Sequence, residues 1–339
     1  MAARFADPRK LTLARPWKWI DKRIDELDVD TDYVEIVRLS TLYRINDLQL
    51  HWFYAVGTPA AGIRPQVIDS VYRDGTGTYN AEPLRRIDDS CDHMLAWFEH
   101  GPDAPATQKS IDMVNRYHAH FARSYPDSFA EVDDYLYILC LNATLVNTAI
   151  TSLGLSGFSE KERTAAHRLW SEIAARFRMA DGRPVTEVQP FPESYRAMEE
   201  CVEEYLARPW PLHDNGHRST TAAIEYFAVT WFPRPLRFFG RAMVTSFMPF
   251  AVLRAHDIKV PPAPIRWAAR RAMKALILLT NHVLPDPVQS LPDRRRRLAL
   301  RGAGKRSAVD TAIHRGLDKY QKNAGRPSPA GCPHLAALD

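Results

Sequence analysis

From one proline or glycine signal to the next, almost every segment of this chain repeats its apolar residues at three- and four-residue steps, the period of a helix with one buried face. No run of alternating β-branched residues flanked by hairpin turns breaks that pattern. The fold class is therefore all-α. The spacing predicts helices over parts of 32–56, 64–72, 82–99, 107–124, 131–153, 160–179, 192–207, 218–230, 236–255, 264–283 and 306–321. Ser159-Glu160-Lys161-Glu162 reads as a capping box, in which serine and the second glutamate satisfy each other's backbone donors. Gly154 and Gly157 end the preceding helix, so 131–153 and 160–179 should form an antiparallel hairpin with Leu136, Leu139, Ala143, Val146 and Ile150 on the inner face of its first arm. Pro261-Pro262-Ala263-Pro264 and Leu284-Pro285-Asp286-Pro287 bracket a later helix.

At 339 residues and 45% hydrophobic, the chain can bury a core large enough to enclose a prosthetic group. One helical domain over 12–302, followed by a helix and a Pro/Gly/Ala-rich tail over 303–339, fits the pattern. The formal charge of +5 is concentrated around Arg294-Arg295-Arg296-Arg297, a local basic patch whose usual meaning is a solvated helix end. It lacks the aromatic platform of a nucleic-acid site, and no nucleic-acid partner is expected. Cys91, Cys140, Cys201 and Cys332 form no C-x-x-C pair, and the N-terminus has no secretory apolar core, so a cytoplasmic protein with reduced thiols is expected.

Prolines and arginines interrupt Ile224–Leu253 before it reaches the roughly 20 apolar residues of a membrane span. Phe238, Phe239, Met243, Phe247, Met248 and Phe250 are either buried core or a greasy surface that rests on a bilayer with help from flanking arginines. The second option makes a haem-free helical protein binding lipid or a membrane surface the alternative functional class.

Chemistry concentrates on His118. If 110–124 is helical, Ile111, Val114, His118 and Phe121 share the buried stripe, while His120 points about 200° away, toward water. The two histidines cannot chelate one ion together. Upstream, Arg86, Ser90, His93 and Trp97 form one ridge of a helix: a cation and a hydroxyl available to an anionic cofactor beside an imidazole helix. A core histidine bonded to a carbonyl, and an exposed Asp89–His93 couple, are the plain structural readings of the same residues. Thr144 lies near the inner face of its helix, where it either donates to a cofactor or bonds back to its own backbone. Signatures of nucleophile elbows, phosphate loops and dinucleotide folds are missing.

Arg86-x-x-x-Ser90, Arg116-x-His118-Ala119-x-Phe121, Asp134-Tyr135-Leu136 leading to Asn142-Ala143-Thr144-Leu145, Leu155 to Glu162 with Trp170, and Leu284-Pro285 before Leu291-Pro292-Asp293 occur in a telling order. Over about 30–300 the chain thereby resembles the all-helical oxygenases that include bacterial rubber oxygenases and the fungal mycophenolic-acid-pathway oxygenase. The resemblance implies a globin-like helical core holding haem b, with His118 as iron ligand, Arg86 and Ser90 on the distal side, Thr144 near cofactor or oxygen, and molecular oxygen as co-substrate. Rubber oxygenases carry a lysine where this chain has Asp89, which argues against rubber itself. An apolar alkene or terpenoid-like small molecule is the expected substrate, with possible peripheral membrane contact.

Overall fold

A computed structural model describes residues 17–81 and 83–298 of the chain. The helix expected over 306–321, the tail and both outer domain boundaries lie outside the described residues. Within them the fold is all-α, without a strand; Arg178 and Pro184 make an isolated bridge. The main elements are α1 (Trp19–Glu26), α2 (Asp47–Ala61), α3 (Pro83–His100), α4 (Pro105–Phe121), α5 (Val132–Thr151), α6 (Glu160–Ala174), α7 (Tyr195–Ala207), α8 (Asp214–Trp231), α9 (Arg237–Thr245) and α10 (Ala263–Leu278).

Helix α5 is the axis of the molecule because its sequence leaves little of its circumference polar. Tyr135, Leu136, Leu139, Cys140 and Ala143 join a core that reaches Trp97 on α3, Ile111 on α4 and Leu169, Trp170 and Ile173 on α6. Tyr137 and Leu141 instead turn toward α7, where Tyr137 stacks on Tyr205 with ring centroids 3.9 Å apart. A helix apolar on several sides must be enclosed. A second core joins Trp52 and Val56 of α2, Phe227 of α8, Met243 of α9 and Met273 of α10, and Trp52 Nε1 donates to the Met243 carbonyl at 2.9 Å.

The Ser159 capping box forms as expected, with the Ser159 amide on Glu162 Oε2 at 2.7 Å and the Glu162 amide on Ser159 Oγ at 3.3 Å. It starts α6, which packs against α5 as the second arm of the hairpin. Asn147 ties the connection down: its Oδ1 accepts from the Phe158 amide at 2.7 Å and its Nδ2 donates to Glu199 at 3.2 Å. Gly157 holds φ at +67°, and a Cβ there would lie 2.4 Å from Asn147 Oδ1. Gly157→Ala should cost about 2 kcal/mol or more through the left-handed backbone and the displaced amide. A lower urea midpoint at unchanged denaturant slope checks it.

Several elements differ from the sequence expectation. The stretch 32–56 is divided: a π turn over Arg38–Tyr43 is followed by a new start at Asn46, whose side chain caps α2 in a box with Gln49. The stretch 236–255 splits into α9 and a short helix Phe250–Ala255, because Pro249 sits at the N-cap of the second and cannot donate to a continuing helix. Helix α1 had no expectation at all; Lys18 and the Ile20 amide anchor it to Asp286 at 3.1 and 2.9 Å, a partner more than 260 residues distant.

Most of the aromatic run in 238–250 is core. Phe239, Phe247, Met243 and Met248 pack into the second cluster, whereas Phe238 and Phe250 are 51% and 72% exposed. Arg294 and Arg295 of the arginine cluster are spent inside the molecule, while Arg296 and Arg297 stay exposed as a helix end does. Arg294 donates to the Ile45 carbonyl, Arg295 pairs with Asp47 at 2.8 Å, and Arg296 pairs with Glu99 at 2.6 Å, stapling the helix that starts at 291 to α2 and α3. Among the described residues no helix is long and apolar enough to cross a membrane.

Candidate active site at the α3–α4 hairpin

Helices α3 and α4 run antiparallel, joined by a turn in which Gly101 has φ +75°. Their register is fixed by three bonds: Thr107 Oγ1 donates to the Ala96 carbonyl at 3.4 Å, Trp97 Nε1 donates to Ser110 Oγ at 2.8 Å, and Ser110 Oγ meets His93 Nδ1 at 2.7 Å. Because indole can only donate, Ser110 Oγ accepts from Trp97, and the direction of its bond with His93 Nδ1 follows the tautomer of the ring. His93 is thus engaged with Ser110, not in a simple exposed couple with Asp89. In an antiparallel pair each step back along α3 matches a step forward along α4, so Arg86 comes opposite His118.

The electrostatics agree. Burial, and then the positive charge of Arg86, push the His118 imidazole down to about 4. Burial and Arg86 also lower His93. On α2, burial pushes the Tyr54 phenol up to about 12 while Arg86 pulls against it. Arg86 therefore sits where α2, α3 and α4 converge. His118 and Tyr54 are only half-buried by surface, yet protein surrounds both closely enough to suppress their charged forms.

Aromatic rings wall His118: Phe129 at 5.1 Å between centroids, Tyr135 edge-on at 5.5 Å and Phe177 at 6.5 Å. His118 Nδ1 is buried with no hydrogen-bond partner. The Tyr135 hydroxyl is also buried, facing the Ala180 backbone. A core histidine satisfied by a carbonyl, the plain reading of such a residue, is not what the structure holds. His120, two residues on, is exposed, as the helical period requires.

Ser90 is half-buried on the Arg86 ridge, and its hydroxyl has no partner among the described residues. Asp89 is exposed, so water screens its charge and the anion weighs less on the site than a buried carboxylate would. Thr144 is 2% exposed and donates to the Cys140 carbonyl at 2.8 Å. Its proton is committed to its own helix; only its lone pairs remain for another group. Tyr54, Phe129, Phe177 and Ser110 escaped the sequence reading. Phe129 and Phe177 stand outside helices, where no period marks them, and the helix expected through 179 ends at Ala174.

A family model described as "ER-bound oxygenase mpaB/B'/Rubber oxygenase, catalytic domain" matches residues 48–305. The chain belongs to this oxygenase family. The match begins at the start of α2 and takes in the α3–α4 hairpin, α5 and every residue around His118. No curated protein matches the chain.

Haem is the group that the resemblance of the sequence motifs implies, and one residue of this site has what a porphyrin asks of a protein ligand. A porphyrin needs only one protein ligand, and His118 is neutral with an unspent buried nitrogen beside a cation and aromatic walls. A directly chelated ion finds less: among the described residues no three His, Cys, Asp or Glu side chains converge.

The depressed His118 imidazole makes stability depend on pH. An unfolded histidine titrates near 6.5 and the folded one near 4, so between these values the unfolded chain binds more protons and stability falls as pH falls. From pH 7 to pH 5 the expected loss from this group is up to about 2 kcal/mol. His93 and His256, lowered by burial, act with the same sign. Urea unfolding at the two pH values should show a smaller loss in His118→Phe than in the parent.

Proposed function

We propose that the protein is a haem b-dependent oxygenase acting on an apolar small molecule of the alkene or terpenoid-like kind, with His118 as the iron ligand. The observation that carries the reading is His118 itself: a neutral imidazole, its buried Nδ1 unpartnered, walled by aromatic rings in a member of an oxygenase family. Arg86 and Ser90 are assigned to binding and catalysis beside His118, and Thr144 to a supporting position.

Haem, when bound, supplies the oxygen and electron-transfer chemistry that no side chain of this set provides. His118 keeps its lone pair available at neutral pH, because burial and Arg86 together disfavour its protonation. Arg86 offers a fixed positive charge to a carboxylate of the cofactor or to negative charge that develops during reaction. Ser90 adds a hydroxyl donor from the next turn of the same ridge. Phe129, Tyr135 and Phe177 exclude water from the ring and present an apolar wall to an apolar substrate. Thr144 contributes as an acceptor only, since its proton rests on Cys140.

An absorption spectrum of the purified protein tests the reading. A Soret band that weakens or disappears in His118→Ala supports it; colourless protein from cells supplied with iron and haem precursor refutes it.

A further inference from the structure

Between Tyr226 and Pro285 the chain carries nine Lys or Arg residues and a single acid, Asp257, against 45 basic and 40 acidic residues in the whole. Helix α10 lies in that stretch. It buries Ala269, Met273 and Ile277 against α9 and turns its opposite side outward. That outer side should be polar on a helix with nothing further to contact. Instead it shows Trp267 at 63% exposure, and the π turn that continues it (Leu279–Val283) shows Leu279 at 42% and Val283 at 57%. Arg271 is exposed on this side, its guanidinium 5.5 Å from the centre of the Trp267 ring, and Arg266 is exposed in the first turn at the edge nearer α9; neither has a carboxylate partner among the described residues.

The far end of this face is extended by a second exposed tryptophan. Trp17 is 60% exposed, its carbonyl accepts from the Asp286 amide at 3.0 Å, and Lys18 donates to the Leu284 carbonyl; Leu284 is itself 45% exposed. From Trp267 to Val283 the helix spans roughly 24 Å at 1.5 Å per residue. An indole stands at each end, aliphatic side chains lie along it, and cations flank it.

We infer that the outer face of α10, with Trp17 and Leu284, is a docking surface for an anionic lipid bilayer. The helix lies in the plane of the headgroups, its apolar side chains enter the boundary with the acyl chains, and Arg266 and Arg271 meet lipid phosphates and carboxylates. Charge selects this occupant over two others. A second copy of the same face would bring arginine against arginine. The chain's own first sixteen residues carry Arg4, Arg9, Lys10 and Arg15 against Asp7 alone, so they repel the face as well. A bilayer also suits tryptophan, whose ring is apolar but whose N–H stays at the wet boundary. This inference stands apart from the oxygenase reading and needs no haem.

Sedimentation of the full-length protein with vesicles of phosphatidylcholine, with and without phosphatidylserine, tests it. Binding should require phosphatidylserine and weaken as salt rises. Arg266→Glu and Arg271→Glu should each weaken it by about fivefold or more, the value of one cation near an anionic membrane converted to affinity. Trp267→Ser should also lose binding, and brominated acyl chains should quench parent fluorescence more than that of Trp267→Ser. All three sites are exposed, and an unchanged unfolding midpoint confirms that each variant folds. Absence of binding to either vesicle, binding indifferent to phosphatidylserine, or binding untouched by the three substitutions overturns the assignment. So does a concentration-dependent dimer that Trp267→Ser dissolves, which would make the face a contact between copies, or capture of an acidic protein in place of vesicles.

Discussion

His118→Ala should remove the Soret band of the purified protein, with haem content falling by at least about tenfold, the low end of what even an outer partner of a metal ligand is worth. The expected loss is large because the site offers no substitute: His93 is held by Ser110 and His120 is exposed on another side of α4. Alanine also leaves a gap the size of the ring among Phe129, Tyr135 and Phe177, which imidazole added to the medium can occupy. Recovery of the band with imidazole separates loss of a ligand from loss of the fold. His120→Ala, in contrast, should keep the band. Full haem content in His118→Ala would place the iron ligand elsewhere and remove the basis of the oxygenase reading.

Asp134→Ala should destabilise the fold by about 3–5 kcal/mol, the cost of leaving one member of a buried ion pair alone. Asp134 is 4% exposed at the start of α5. Its carboxylate is bonded by the Arg64 guanidinium and by the Tyr205 hydroxyl from α7. Burial raises the carboxyl above its ordinary range despite the opposing pull of Tyr205 and Arg64. Dehydration therefore outweighs pairing, and the pair is not a source of net stability over an apolar isostere. Alanine removes the anion and strands Arg64, whose side chain is 16% exposed, beside an unsatisfied Tyr205 hydroxyl. Replacing both partners, Arg64→Met with Asp134→Leu, should recover much of the loss. Thermal or urea unfolding of the two single variants and the double reads the coupling; equal losses in Asp134→Ala and the double would discard this account.

What could be read in the sequence was whatever depends on neighbours within a few residues. The azimuth of His118 against His120 follows from two steps of a helix, and the one is recessed while the other is wet. The Ser159 box follows from a three-residue spacing and forms as such. The family could be read from spaced motifs and the match over 48–305 agrees. Missed features share a different character. Phe129 and Phe177 reach His118 from segments without period, and Tyr54 reaches Arg86 from another helix. Arg294 and Arg295 looked like part of a solvated end because their partners, Ile45 and Asp47, are 249 and 248 residues away.

The sequence alone thus determined the helices, their apolar faces and the side of α4 on which His118 stands, since each is a sum of local backbone preferences and side-chain directions. Only the tertiary structure decided which faces meet: that Arg86 lies opposite His118, that Thr144 gives its proton to Cys140, that Phe239 and Phe247 are core while Trp267 is not. Helix pairing is settled by many weak contacts between surfaces far apart along the chain, and no short window of residues contains both sides of such a contact.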